Sequence, residues 1–113
     1  MAFQHLIKYG EMTKVHGRGN RKTRPCVMAL LSTELLYCVE VGQARLELKS
    51  RIQLSSLEVE DIADEKSAPT PEEKPFQHQI GIKSPNRSFV AFCDSAYEKA
   101  QWLKCINKAL AQV

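Results

Sequence analysis

The chain has no long hydrophobic run. Its longest uninterrupted apolar stretch is Cys26–Leu31, where a membrane-crossing helix needs about 20 residues. The N-terminus, Met-Ala-Phe-Gln-His-Leu-Ile-Lys, lacks the basic start and extended apolar core of a secretory signal, so the chain reads as intracellular. Cysteine pairing motifs are missing too. Cys26, Cys38, Cys93 and Cys105 include no C-x-x-C, and all four lie in apolar stretches, where a free thiol serves as a small core residue. His5, His16 and His78 have no H-x-x-x-H spacing to complete a zinc ligand set, so neither a metal nor another cofactor is expected.

What is present is ordinary for a globule: 113 residues, 43% apolar and 26% charged. That length suits one domain, residues 1–113, able to bury roughly 65% of its unfolded surface without metal or disulfide support. The net charge of +3 conceals an uneven distribution. Residues 1–24 carry Lys8, Lys14, Arg18, Arg21, Lys22 and Arg24 against Glu11 alone. Between Glu58 and Glu73, seven acids (Glu58, Glu60, Asp61, Asp64, Glu65, Glu72, Glu73) face only Lys66. Such a globule steers an anionic partner toward one end.

Most of the chain alternates in twos. Phe76, His78, Ile80 and Ile82 alternate with Gln77, Gln79, Gly81 and Lys83, the pattern of a half-buried strand. Ser84-Pro85-Asn86-Arg87 supplies a turn, and Ser88–Cys93 completes a hairpin. Earlier runs at Leu6–Val15, Cys26–Leu31, Leu35–Val41, Leu46–Leu48, Ile52–Leu54 and Leu57–Ile62 bring the expectation to seven or so antiparallel strands. Residues 63–75 hold three prolines and almost nothing to bury, and they read as a mobile acidic loop within the domain.

Only the last twenty residues change period. Ser95-Ala96-Tyr97-Glu98 fits a capping box, in which serine and glutamate each satisfy a free backbone N–H. Beyond it Trp102, Ile106, Ala109, Leu110 and Val113, with Leu103 alongside, fall on one helical stripe, with Gln101, Lys104, Asn107 and Lys108 turned away. That stripe must close over the strands, with Trp102 as core packing.

Strands followed by one terminal helix with a central tryptophan resemble a pleckstrin homology domain. Ile7-Lys8-Tyr9-Gly10-Glu11-Met12-Thr13-Lys14 is similar to that family's first strand, and Leu35-Leu36-Tyr37-Cys38 to its third. Ser88-Phe89-Val90 with Glu98, Trp102, Ile106 and Leu110 is similar to the last strand and helix. Lys14-Val15-His16-Gly17, Arg24-Pro25 and Leu35-Leu36-Tyr37 carry a finer likeness to the domain that follows the Dbl-homology domain in Rho exchange factors, especially the FYVE, RhoGEF and PH domain-containing group. The resemblance implies a mainly β fold: a barrel of about seven antiparallel strands in two near-orthogonal sheets, capped by one C-terminal α-helix. It implies a non-catalytic phosphoinositide-binding, membrane-targeting and regulatory module, cytoplasmic with peripheral membrane association and monomeric when isolated. The partners implied are phosphoinositide headgroups, an adjoining Dbl-homology domain and a Rho-family GTPase.

In many members a lysine ending the first strand and a K/R-x-R pair opening the second grip the headgroup phosphates. The matching candidates are Lys14, Arg18, Arg21, Lys22 and Arg24. Gly17 and Gly19 let backbone N–H groups approach an anion, and guanidinium forks match phosphate oxygens. The place where exchange-factor relatives often carry an inward arginine falls on Cys26, with Arg24 two residues earlier. Arg45, Lys49 and Arg51 are further cations whose facing the spacing leaves open. Five cations at roughly 1 kcal/mol each near an anionic leaflet give about 5 kcal/mol, a dissociation constant of a few tenths of a millimolar, so recruitment needs further contacts.

Two other classes fare worse. The histidines are scattered, no serine sits in a nucleophile motif, and Gly17-Arg18-Gly19 lacks the strand-to-helix setting of a nucleotide loop, which argues against an enzyme. Nucleic acid is not expected either, because no aromatics interleave with the loop cations for base stacking. A protein-interaction module contacting an exchange domain or GTPase, with little or no lipid binding, is the alternative.

Overall fold

A computed structural model describes residues 4–16 and 22–113. Within them seven strands are followed by a helix: β1 (Leu6–His16), β2 (Lys22–Leu31), β3 (Glu34–Glu40), β4 (Leu46–Gln53), β5 (Glu58–Ile62), β6 (Gln79–Lys83), β7 (Ser88–Phe92) and α1 (Ala96–Leu110). All neighbouring strands run antiparallel, in the order β4-β3-β2-β1-β7-β6-β5. The two expected sheets are thus joined through β1, which pairs with β2 along nearly its whole length and with β7 only through Thr13, Lys14 and Val15.

Alternation places the core. Cys26, Met28 and Leu30 of β2 and Leu35, Tyr37 and Val39 of β3 are buried, while Val27, Ala29, Leu36 and Cys38 between them are half-buried on the outer face. Pro25 is tolerated because the β2–β3 ladder begins only at Val27, so its missing N–H breaks no bond on that side.

Several boundaries differ from the sequence pattern: β2 starts at Lys22, four residues before the expected Cys26, and some other strand ends shift by one residue. The runs Leu46–Leu48 and Ile52–Leu54 are one strand, β4, because Ser50 and Arg51 keep pairing with Tyr37 and Leu36; an irregularity at Tyr37/Cys38 disturbs the alternation that separated them. Leu54 instead opens a short 3-10 turn, Leu54–Ser56, which buries it. Phe76–His78 are outside β6, since His78 adopts φ 60°, which no extended strand accommodates. The Asp64 carboxylate accepts its N–H at 2.8 Å, and its carbonyl accepts the Cys93 N–H at 2.9 Å. The base of the 63–75 loop is closed by Glu65, whose backbone N–H reaches the Phe76 carbonyl at 2.9 Å and whose carboxylate accepts the Phe76 N–H at 2.7 Å.

At the start of α1, Ser95 Oγ accepts the Glu98 N–H at 3.1 Å. The glutamate half of the box is diverted: Glu98 Oε2 lies 3.3 Å from Lys8 Nζ on β1. Trp102, Ile106 and Ala109 are buried as the stripe requires, whereas Val113 lies past the helix end, 57% exposed. Gly10 lies against the indole, where a Cβ would stand 3.6 Å from Trp102 Cζ2, an ordinary contact distance. Among the described residues, no helix is long and apolar enough to cross a membrane.

Candidate functional site

The register of the first hairpin places Lys14, Lys22 and Arg24 on one face. Met12 pairs with Cys26, Lys14 with Arg24, and His16 with Lys22. Side chains alternate along a strand, so Lys14 and Arg24 share the inward face of buried Met12 and Cys26. Cys26 is the floor. Arg24 stands two residues, about 7 Å, further toward the loop, on the same side as the position the resemblance assigns to an arginine. Lys22 continues that line and is exposed. Arg18 and Arg21, with Gly17 and Gly19, lie outside the described residues.

Beneath Lys14 is an aromatic pair. The Tyr37 and Phe89 rings lie 5.3 Å apart at 45°. Lys14 Nζ is 5.1 Å from the Tyr37 centroid and 5.5 Å from that of Phe89, within cation–π range of both. Arg87 Cζ lies 5.5 Å from the Tyr37 centroid. The β6–β7 turn fixes this arginine, with the Ser84 N–H donating to the Arg87 carbonyl at 3.0 Å and the Arg87 N–H donating to Ser84 Oγ at 3.1 Å. Three elements therefore bring Lys14, Arg24 and Arg87 to one mouth.

Electrostatics agree with that convergence. Burial pushes the Lys14 pKa down, and the charges of Arg87 and Arg24 push it further, partly offset by Cys26. Burial raises the Tyr37 hydroxyl, and the Cys26 thiol is pushed up to about 11 mainly by the same cause. Lys8, Lys49, Arg51, Lys83 and Lys99 each hold a carboxylate; Lys14, Arg24 and Arg87 enter none of those pairs. Lys49 and Arg51 are thus committed to Glu47 and Glu34, while Arg45 sits exposed in the β3–β4 loop. Among the described residues no His/Cys/Asp/Glu group could hold a metal ion.

The family model described as PH domain matches residues 6–111. The chain belongs to the PH domain family. As a PH domain it is a non-catalytic module. Human FYVE, RhoGEF and PH domain-containing protein 6 is 26% identical over 107 residues, and its mouse counterpart 23%. Either match covers 95% of this chain but 7% of the relative. The fold is similar to part of the DH/PH domain of human ARHGEF11 in its ternary complex with human RhoA and an inhibitor: TM-score 0.77, 15% identity, 97% of this chain and 30% of that one. It is also similar to the Slm1 PH domain, described as binding ligand in a non-canonical site, with TM-score 0.71, 13% identity and coverage of 93% and 97%.

Sequence spacing missed Arg87. It reads as the last residue of a turn, and only the packing of that turn against Tyr37 places it beside Lys14. The signal available in the sequence was a cation at the tip of a hairpin whose neighbouring strand begins Ser88-Phe89.

Proposed function

We propose that this PH domain binds phosphoinositide headgroups at its mouth. It thereby brings a Rho-type exchange factor or related signalling protein to the membrane and tunes the exchange domain beside it. Its location is then cytoplasmic, with peripheral membrane association. The observation that carries this reading is the Lys14–Arg24 pair on one face of the first hairpin, joined by Arg87, with none of the three in a carboxylate pair among the described residues. Lys14, partly buried and repelled by Arg87 and by exposed Arg24, gains more from a phosphate than a fully solvated lysine does. Lys22 extends the same surface, and Arg18 and Arg21 are further candidates from the sequence alone. Vesicle sedimentation with and without phosphoinositide is the test: the wild type pellets with the phosphoinositide vesicles, and Lys22→Ala/Arg24→Ala does not. Equal pelleting of both proteins counts against the mouth.

A second reading has its own observation. On the outer face of the β1–β4 half, Tyr9, Leu46 and Leu48 are 68%, 56% and 43% exposed, beside half-buried Val27, Leu36 and Cys38. Exposed apolar surface of this kind suits a protein partner such as an exchange domain. Loss of that association in Leu48→Asp, with vesicle binding unchanged, would support it.

A further inference from the structure

A cavity of about 270 Å³ lies between β4 and the β6–β7 turn, lined by Ser50, Arg51, Ser56, Ser84, Asn86 and Arg87 among others. Two arginines, three serines and two carboxamides, Asn86 and Gln53, line it, and no carboxylate does. Two other clefts differ in this respect. The one beside Pro25 contains Glu11, Glu40 and Asp94, and the one beside Lys14 and Lys83 contains Glu60, already 3.2 Å from Lys83 Nζ. A fourth cleft, between the start of β1 and α1, is also free of acids and holds Lys104 and Lys108; of the four, only the β4–turn cavity combines an acid-free lining with arginines.

We propose that this cavity is a second anion site that takes the phosphate group of a membrane lipid. Its arginines are held in place. Arg51 Nη1 donates to Glu34 Oε1 at 2.8 Å, and Glu34 is buried and also accepts from Gln4 and Gln53. That bond fixes the guanidinium while leaving most of its five N–H donors for another acceptor. The backbone of Arg87 is fixed by Ser84 as described, and its side chain lies over Tyr37 at the mouth. The cavity and the mouth therefore share one arginine, so both can meet the same charged surface. This favours a lipid phosphate over a phosphate carried elsewhere. Glu34 offsets part of the Arg51 charge, so a lone ion is held weakly, and the gain comes from engaging two sites at once.

The test uses backbone amide NMR on the 113-residue chain, titrated with inorganic phosphate and then with a soluble inositol phosphate. Phosphate is expected to shift the amides of Ser50 and Asn86 in the wild type and in Lys14→Ala/Arg24→Ala. Asn86→Glu, an exposed turn substitution that puts a carboxylate at the rim, abolishes those shifts and leaves the Lys14 and Arg24 responses to inositol phosphate intact. No phosphate response at Ser50 and Asn86, or its loss in Lys14→Ala/Arg24→Ala, overturns the second site without touching the mouth. For the lipid source, Asn86→Glu is expected to weaken binding to phosphoinositide vesicles about fivefold. Gln43→Glu in the β3–β4 loop, with the same change of charge, has a smaller effect. Equal weakening by the two substitutions overturns the lipid assignment.

Discussion

Lys14 and Arg24 are cross-strand partners one rung above Met12 and Cys26, so two cations crown a column of side chains that is apolar below. This arrangement needs a hairpin long enough to carry the inward face past the end of the core. β1 extends to His16 and β2 starts at Lys22, which meets that need. With Cys26 in the place where the resemblance expects an arginine, Arg24 stands on the same face, one rung further out.

The first prediction concerns the residue that spacing missed. Arg87→Ala should weaken phosphoinositide vesicle binding by about fivefold, the worth of roughly 1 kcal/mol of cation near an anionic leaflet. Its circular dichroism and melting should stay close to wild type, because the turn is held by backbone groups and Ser84. Unchanged sedimentation would remove Arg87 from the mouth.

A second prediction concerns alkaline pH. The Cys26 and Cys93 thiols are both raised from 9.0 to about 11 in the folded protein, chiefly by burial. A raised folded-state pKa means that the native form holds its proton where the unfolded form has lost it. The contribution to stability is complete below the unfolded value and is lost as pH rises through about 11. Urea midpoints should therefore fall between about pH 9 and pH 11, and less steeply in Cys26→Ala and Cys93→Ala. Parallel slopes in all three proteins would contradict the burial account.

Glu34 is a buried carboxylate whose charged partner is Arg51. Arg51→Ala should cost about 2 kcal/mol by urea melting, since it leaves the carboxylate without its guanidinium. Glu34→Gln/Arg51→Ala should recover part of that loss. A double variant no more stable than Arg51→Ala would show that the pair is not the source.

The helix docks through Trp102 over Gly10. Trp102→Ala should destabilise by about 3–5 kcal/mol. Gly10→Ala should be mild, because its Cβ would stand at an ordinary contact distance, and Gly10→Leu should not be. A Gly10→Leu protein as stable as wild type would contradict that packing.

The strands were legible wherever one face alone is buried, as in β2 and β3, because alternation reports burial directly. They were least legible where this condition fails. β6 buries Gln79 through Ile82 in succession, and the positive φ of His78 ends the strand inside what reads as continuous alternation. The irregularity in β3–β4 likewise split one strand into two apparent runs. At the mouth, Lys14, Lys22 and Arg24 could be named from one hairpin because they are near in sequence. Their facing could not, since it depends on the register of β1 with β2. Arg87 comes from a turn more than sixty residues further along, and its nearness to Tyr37 is a product of tertiary packing alone.

The most direct test of the central claim is calorimetric titration of a soluble inositol phosphate into the wild type, Arg24→Ala, Lys14→Ala and Cys26→Ala. The account predicts that each cation removed weakens binding by about fivefold or more, while Cys26→Ala, altering only the floor, binds as the wild type does. Unchanged affinity in both Lys14→Ala and Arg24→Ala would contradict it.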